Sequence, residues 1–248
     1  MPLPNFLCLG AQKAGTSTLQ HWLSLHPQVF LPPGKEVHYF SLHYDRDRSW
    51  YEDHYASAGA QQACGDITPY YLFHPLAAER IETLLPRARL IVLLRDPVER
   101  ALSGLFHSIR LGLESLPPDQ ALAAEEERLA GAEQQLTSGA ATHHSHQVHS
   151  YLARSRYEQQ LERYEARFPA EQLLILRSED LFTEPERICP PLLEFLNLAP
   201  AKIPKRLPVH NAGLGLAGSV DPALRGWLRT ALEPTYAAME QRYQLRWS

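Results

Sequence analysis

Continuously apolar runs punctuate the chain at wide intervals, and between them the spacing of apolar positions becomes helical. Phe6-Leu7-Cys8-Leu9, Leu90-Ile91-Val92-Leu93-Leu94 and Leu173-Leu174-Ile175-Leu176 do not alternate with polar residues. Runs of this kind fit strands buried on both faces, as in a parallel sheet. Thr16 to Leu25 reads as a helix ended by His26-Pro27. A second helix is expected from about Leu76 to Leu85. A third starts at Pro97, whose fixed φ suits a first helical position. Leu152, Tyr157, Leu161, Tyr164 and Phe168 predict one long amphipathic helix from about Ser150 to Phe168. Leu224, Trp227, Leu228, Leu232, Tyr236 and Met239 predict another over about Pro222 to Tyr243. Cys64 to Thr68 is a weaker strand candidate. Strands alternating with helices argue for an α/β fold with an open parallel sheet flanked by helices on both faces.

Three segments are less regular. Asp119 to Leu136 is rich in Ala, Glu and Gln and reads as helical and exposed. Thr137 to Gln147 reads as a mobile loop, and Ala199 to Val220 as a long excursion of the kind that often serves a site. No break in composition divides the chain, so residues 1–248 are read as a single domain, a usual length for one α/β domain.

Charge narrows the range of partners. The formal net charge is −4, so no global basic field attracts nucleic acid or anionic lipid. Cys8, Cys64 and Cys189 form neither a CxxC pair nor a metal-ligand spacing, which suits three buried thiols in a reducing compartment. Phe6 to Leu9 is too short for a signal segment or a membrane span. These features lead to the expectation of a soluble, cytoplasmic protein with no nucleic-acid partner.

The chemistry concentrates in Gly10-Ala11-Gln12-Lys13-Ala14-Gly15-Thr16-Ser17-Thr18, between the first strand and its helix. A strand, a glycine-rich turn and a helix N-terminus make an anion cradle, because free N–H groups and the helix dipole converge there. The pattern is close to the P-loop, Gly-x4-Gly-Lys-[Ser/Thr], with one departure. Thr16 follows the second glycine, and the lysine stands upstream at Lys13. A nucleoside-triphosphate P-loop needs its lysine after that glycine to reach the β- and γ-phosphates. Here the lysine lies inside the turn, over a single 5′-phosphate and whatever is attached to it.

This loop resembles the 5′-phosphosulfate loop of sulfotransferases that use 3′-phosphoadenosine-5′-phosphosulfate (PAPS), in particular the heparan-sulfate N- and 3-O-sulfotransferase type and its bacterial relatives. The resemblance runs down most of the chain. It includes Lys35-Glu36-Val37-His38-Tyr39-Phe40, Trp50-Tyr51 with His54-Tyr55, Gly65-Asp66-Ile67-Thr68-Pro69-Tyr70-Tyr71, and Arg95-Asp96-Pro97 with Ser103 eight residues after Arg95. His107, Arg110, Gly112 and Glu114 follow in the family order, and the C-terminal third matches loosely.

The resemblance implies a P-loop-like sulfotransferase fold and PAPS as sulfuryl donor, with no metal needed. Lys13, Ala14, Gly15, Thr16, Ser17 and Thr18 would hold the 5′-phosphosulfate, with Lys13 near the bridging oxygen. Arg95 and Ser103 would bind the 3′-phosphate. Glu36 is the candidate general base, since a carboxylate within reach can take the proton of an acceptor hydroxyl as the S–O bond forms. His38, two residues on, would position substrate or Glu36, and His107, one helical turn beyond Ser103, would reach the sulfuryl site. Each has a plainer alternative: a surface ion pair of Arg95 with Asp96 or Glu99, a solvated loop glutamate for Glu36, a packed histidine for His38. Ile67 stands where several heparan-type enzymes have a lysine, which weakens a heparan-like polyanion as acceptor. A small molecule, a carbohydrate, a lipid or a carrier-bound chain all remain open. His143, His144, His146 and His149 lack paired metal-ligand geometry and read as an exposed loop. The rival functions are a P-loop-like small-molecule kinase and a non-catalytic nucleotide-binding protein on the same fold.

Overall fold

The computed structural model describes residues 3–59, 61, 63–208 and 220–247. β1 (Phe6–Gly10) leads through the glycine-rich turn into α1 (Thr16–Ser24), then β2 (Val29–Phe30) and α2 (Arg48–Asp53). β3 (Ala63–Ile67), α3 (Tyr70–Phe73), α4 (Ala77–Leu84) and β4 (Arg89–Leu94) follow. α5 (Pro97–Arg110) precedes four short helices, α6 (Pro118–Ala123), α7 (Glu125–Leu129), α8 (Ala132–Thr137) and α9 (His144–Val148). A 3₁₀ turn at Ala153–Ser155 leads to α10 (Tyr157–Glu165), β5 (Leu173–Arg177), α11 (Ser178–Thr183) and α12 (Pro185–Phe195). α13 (Pro222–Ala231) and α14 (Glu233–Tyr243) close the chain. These residues form two compact units, Met1–Leu94 with Arg163–His210, and Arg95–Glu162 with Asn211–Ser248.

The first unit holds the sheet. Its strand order is β2-β3-β1-β4-β5 and every pairing is parallel. The three apolar runs are β1, β4 and β5, and the weaker candidate is β3. Phe6 to Leu9 and Leu90 to Leu94 have no solvent exposure, as their unbroken apolar character requires. The chain leaves β1 for one edge of the sheet and leaves β4 for the other. The carboxyl ends of these two neighbours therefore bound a topological switch point, where open α/β sheets bind ligands.

The second unit is helical and has a polar interior. Arg100, fully buried, donates to the Ser155 hydroxyl at 2.6 Å and to the Tyr151 carbonyl. The Glu125 carboxylate accepts from the backbone N–H of Leu152 at 2.7 Å and of Ala153 at 2.8 Å. Glu114 pairs with Arg128 at 2.6 Å and accepts from the Tyr151 hydroxyl at 2.9 Å. Buried charges are tolerable here because each is hydrogen-bonded.

That interior explains where the sequence-based expectations fail. The helix expected from Ser150 starts only at Tyr157; ahead of it Glu125 accepts from the Leu152 and Ala153 N–H groups, Arg100 donates to the Tyr151 carbonyl, and Ala153–Ser155 form a 3₁₀ turn. The single C-terminal helix is two, broken at Leu232 ahead of Pro234, which has no N–H to give and crowds the preceding turn. Asp119 to Leu136 is three short helices, interrupted at Gly131 with φ 72°, and Ala121, Leu122 and Glu125 face inward. Thr137 to Gln147 contains most of α9, whose N-terminus is capped by the His143 ring accepting from the His146 N–H at 3.2 Å. His146 is buried, so the histidine run is no exposed loop. Of the excursion from Ala199 to Val220, residues 209–219 lie outside the described residues.

Candidate active site

The cradle is built where β1 ends. Gly10 has φ 149° and Gly15 has φ 90°, both in backbone space that favours glycine. A Cβ on Gly15 would also lie 2.9 Å from the Phe182 ring. Between them Lys13 takes φ 71°, a conformation uncommon for a residue with a side chain and associated with functional sites. The Ala11 N–H donates to the Leu93 carbonyl at 2.7 Å, and the Ser178 hydroxyl to the Ala14 carbonyl at 2.7 Å, so β4 and α11 hold the turn. No side chain caps α1, which begins at Thr16. Its first-turn N–H groups and dipole therefore favour an anion. The Thr18 hydroxyl donates to the Pro208 carbonyl at 2.9 Å.

Lys35, read from the sequence only as part of a segment and with no role of its own, joins this cradle to the candidate base. Its ammonium donates to the Ser17 hydroxyl at 2.8 Å and the Thr16 hydroxyl at 3.1 Å, and lies 3.5 Å from Glu36 Oε1. On the other side of the same carboxylate, His38 Nε2 lies 3.3 Å from Glu36 Oε2. Burial alone would raise the Glu36 pKa. The His38 hydrogen bond and the Lys35 charge outweigh it and hold the carboxyl below its usual range. Glu36 is thus an ionised acceptor at neutral pH, half-buried and held from both sides. Its carboxylate is paired on both sides, while its side chain keeps 35% exposure in the loop.

The Glu36–His38 turn is held by β3 and by its own backbone. Glu36 and His38 both take positive φ, 67° and 58°. The His38 N–H donates to the Thr68 hydroxyl oxygen at 3.4 Å, and the His38 carbonyl accepts from the N–H groups of Ser41, Leu42 and His43. The Thr68 hydroxyl donates to Asp66 Oδ1 at 2.7 Å, while Tyr51 and Tyr71 donate to Asp66 Oδ2 at 2.9 and 2.8 Å. Asp66 is fully buried. Sequence reasoning saw this segment only as a family landmark.

In the second unit, Arg95 directly follows β4 and precedes the N-cap of α5. The Asp96 carboxylate caps that helix by accepting from the Glu99 N–H at 2.9 Å, with Pro97 in the first helical position. The Arg95 carbonyl accepts from the Tyr157 hydroxyl at 2.9 Å, and the guanidinium lies 3.7 Å from Glu99. The surface ion pair offered as the plainer alternative therefore exists. It is long and one-third exposed, and Glu99 also pairs with Arg225. Ser103 and His107 are four residues apart on α5, hence on one face, and both are half-buried. His107 Nδ1 faces the Arg110 guanidinium at 2.9 Å. Among the described residues no group of three or more His, Cys, Asp and Glu side chains is arranged to hold a metal ion, the histidines around α9 included. Also among the described residues, no helix is long and apolar enough to cross a membrane.

The chain is 29% identical to the membrane-associated sulfotransferase kil1 of Dictyostelium discoideum, over 79% of this chain and 56% of that protein. It is 30% identical to human heparan sulfate glucosamine 3-O-sulfotransferase 3B1, over 79% of this chain and 46% of that protein. The chain thus spans about half the length of these curated relatives. A sulfotransferase crystal structure from Alicyclobacillus acidocaldarius superposes with a TM-score of 0.82 at 28% identity, covering 100% of this chain and 98% of that one. Residues 3–209 match the sulfotransferase domain family, and the chain belongs to it.

Proposed function

We propose that the protein transfers a sulfuryl group from PAPS to an acceptor hydroxyl by in-line displacement. The observation that carries this reading is Lys35, whose ammonium reaches both the first-turn hydroxyls of α1 and the Glu36 carboxylate. An anion cradle and an ionised carboxylate beside it are what the reaction needs: one site for the transferring group and one acceptor for the proton of the attacking hydroxyl.

In this reading the acceptor oxygen forms a bond to sulfur as the bond from sulfur to the 5′-phosphate oxygen breaks. The electron pair leaves with 3′-phosphoadenosine-5′-phosphate, and Glu36 takes the hydroxyl proton. Lys13 and the α1 N-terminus stabilise the charge growing on the leaving phosphate oxygen, an electrostatic contribution of the kind that dominates such transfers. Glu36 is a weak base because Lys35 and His38 hold its pKa down. It suffices because the hydroxyl becomes acidic as its bond to sulfur forms. Arg95 and Ser103 bind the 3′-phosphate, and His38 and His107 position the reacting groups. Similarity to a heparan sulfate glucosamine 3-O-sulfotransferase supports a sugar hydroxyl as acceptor, while Ile67 supports an acceptor less heavily charged than heparan.

Glu36→Gln keeps shape and hydrogen bonding but cannot accept the proton. Turnover is expected to fall about 10²–10⁴-fold, with affinity for 3′-phosphoadenosine-5′-phosphate nearly unchanged. Normal turnover at saturation beside collapsed nucleotide binding would make Glu36 a binding residue and remove it as the base.

A further inference from the structure

We infer that Asp66 is a positioning residue for the Glu36–His38 pair, acting through the Thr68 hydroxyl and the Tyr51 ring. The inference rests on the reading of Glu36 as the base.

Asp66 lies near the end of β3 with no solvent exposure, and three hydroxyl groups donate to its two oxygens. A hydroxyl has one proton to give. Thr68 gives its proton to Asp66, so its lone pairs are left to accept, and the His38 N–H points at them from 3.4 Å. Without the carboxylate the Thr68 proton would be free to rotate towards His38, turning an acceptor into a competing donor. A second line of support runs through Tyr51. Asp66 fixes its hydroxyl, and its ring stacks on Tyr39 with centroids 4.4 Å apart and planes at 5°. Tyr39 is the residue after His38.

The segment so held is one that needs holding. Glu36 and His38 both sit at positive φ, which costs energy for residues with side chains and persists only where the surroundings impose it. The His38 carbonyl is fixed by three N–H groups, and its ring by Ser41 Oγ at 3.1 Å and Glu36 at 3.3 Å. Its N–H depends on Thr68. Loss of that contact lets the turn relax and carries the imidazole away from Glu36.

Thr68→Val keeps the shape and removes the hydroxyl, while Thr68→Ser keeps the hydroxyl and removes a methyl group. Both variants leave Asp66 in place, unlike Asp66→Asn, which replaces one acceptor oxygen with an NH₂ donor amid three buried hydroxyl donors and can fail to fold. Carbon-13 NMR of the full chain follows titration of the Glu36 carboxyl, which Lys35 and His38 face. Sulfate release from labelled PAPS, with water as the acceptor, follows turnover: the water oxygen bonds to sulfur, the phosphate oxygen leaves, and Glu36 takes the proton. Thr68→Val should move the Glu36 titration up towards the ordinary carboxylate range and lower sulfate release about 10- to 100-fold. Affinity for 3′-phosphoadenosine-5′-phosphate should stay within about twofold of wild type, a split between chemistry and donor binding. Thr68→Ser should restore both readouts. A wild-type Glu36 titration in Thr68→Val overturns the inference, as does Thr68→Ser impaired as much as Thr68→Val. An unimpaired Glu36→Gln would remove the base reading itself. Impaired Glu36→Gln beside unimpaired Thr68→Val sinks the inference alone.

Discussion

In the first unit the sheet is apolar strand, Phe6 to Leu9 beside Leu90 to Leu94, whereas the second unit buries four charged side chains, Arg100, Glu114, Glu125 and Arg154, among its apolar ones. The two interiors are held together by different physics. Burial of apolar strands stabilises in proportion to the area removed from water and depends little on pH. A buried charge contributes only while its partners are present and correctly ionised. The difference also decides what sequence pattern can reveal, because a run of Leu and Val signals burial and an isolated Glu does not.

Substitutions in the two interiors should separate these mechanisms. Leu93→Ala removes a fully buried side chain from β4 and is expected to destabilise by about 2–5 kcal/mol in denaturant unfolding, with the same loss at pH 5 and pH 8. Glu125→Ala strands the N–H groups of Leu152 and Ala153 and should cost about 1–3 kcal/mol. If Glu125→Ala is neutral, the polar interior is not what shapes the residues before α10, and the contrast between the units fails.

The smallest effect is one of pH. Burial alone would raise the Glu114 pKa, but hydrogen bonds from Arg128, the Leu116 N–H and Tyr151 lower it to about 2, against an ordinary value of 4.5. The folded-state value is depressed, so its stabilisation is complete above about 4.5 and is lost as pH falls towards about 2. Glu114→Gln should flatten the acid limb of the stability profile in that window. Partial exposure of Arg128 keeps the contribution modest. An unchanged acid limb would mean that Glu114 titrates alike in the folded and unfolded chain.

Legibility in the sequence follows the same division. β1, β4, β5 and the Gly10–Thr18 turn were readable because the signal lies in consecutive residues: an apolar run, then glycines at fixed offsets. α5 was readable from Pro97. The late start of the expected Ser150–Phe168 helix was not, since the contacts that hold residues 151–153 come from Arg100 and Glu125, far away in sequence. The site divides likewise. Lys13, Glu36 and Arg95 stand in recognisable segments. The place of the Lys35 ammonium depends on a turn with positive φ at Gly34, Glu36 and His38, which only glycine advertises. Asp66 gathers hydroxyl groups from positions 51, 68 and 71, and no local pattern announces that meeting.

The central claim is the donor, and its distinguishing group is the 3′-phosphate, which AMP and ATP lack. In the proposed reading the Arg95 guanidinium supplies paired donors to phosphate oxygens and Ser103 one more from α5. A thermal-shift titration without added metal tests this most directly. A ligand at about 100 times its dissociation constant contributes roughly 2.7 kcal/mol of apparent stability. 3′-Phosphoadenosine-5′-phosphate should therefore raise the melting temperature clearly and AMP much less. Arg95→Ala should erase most of that preference, since charge-assisted hydrogen bonds contribute about 1.5–3 kcal/mol each. Equal shifts from ATP–Mg²⁺ and the 3′-phosphorylated nucleotide would favour a kinase, and no shift from either would contradict a PAPS-dependent sulfotransferase.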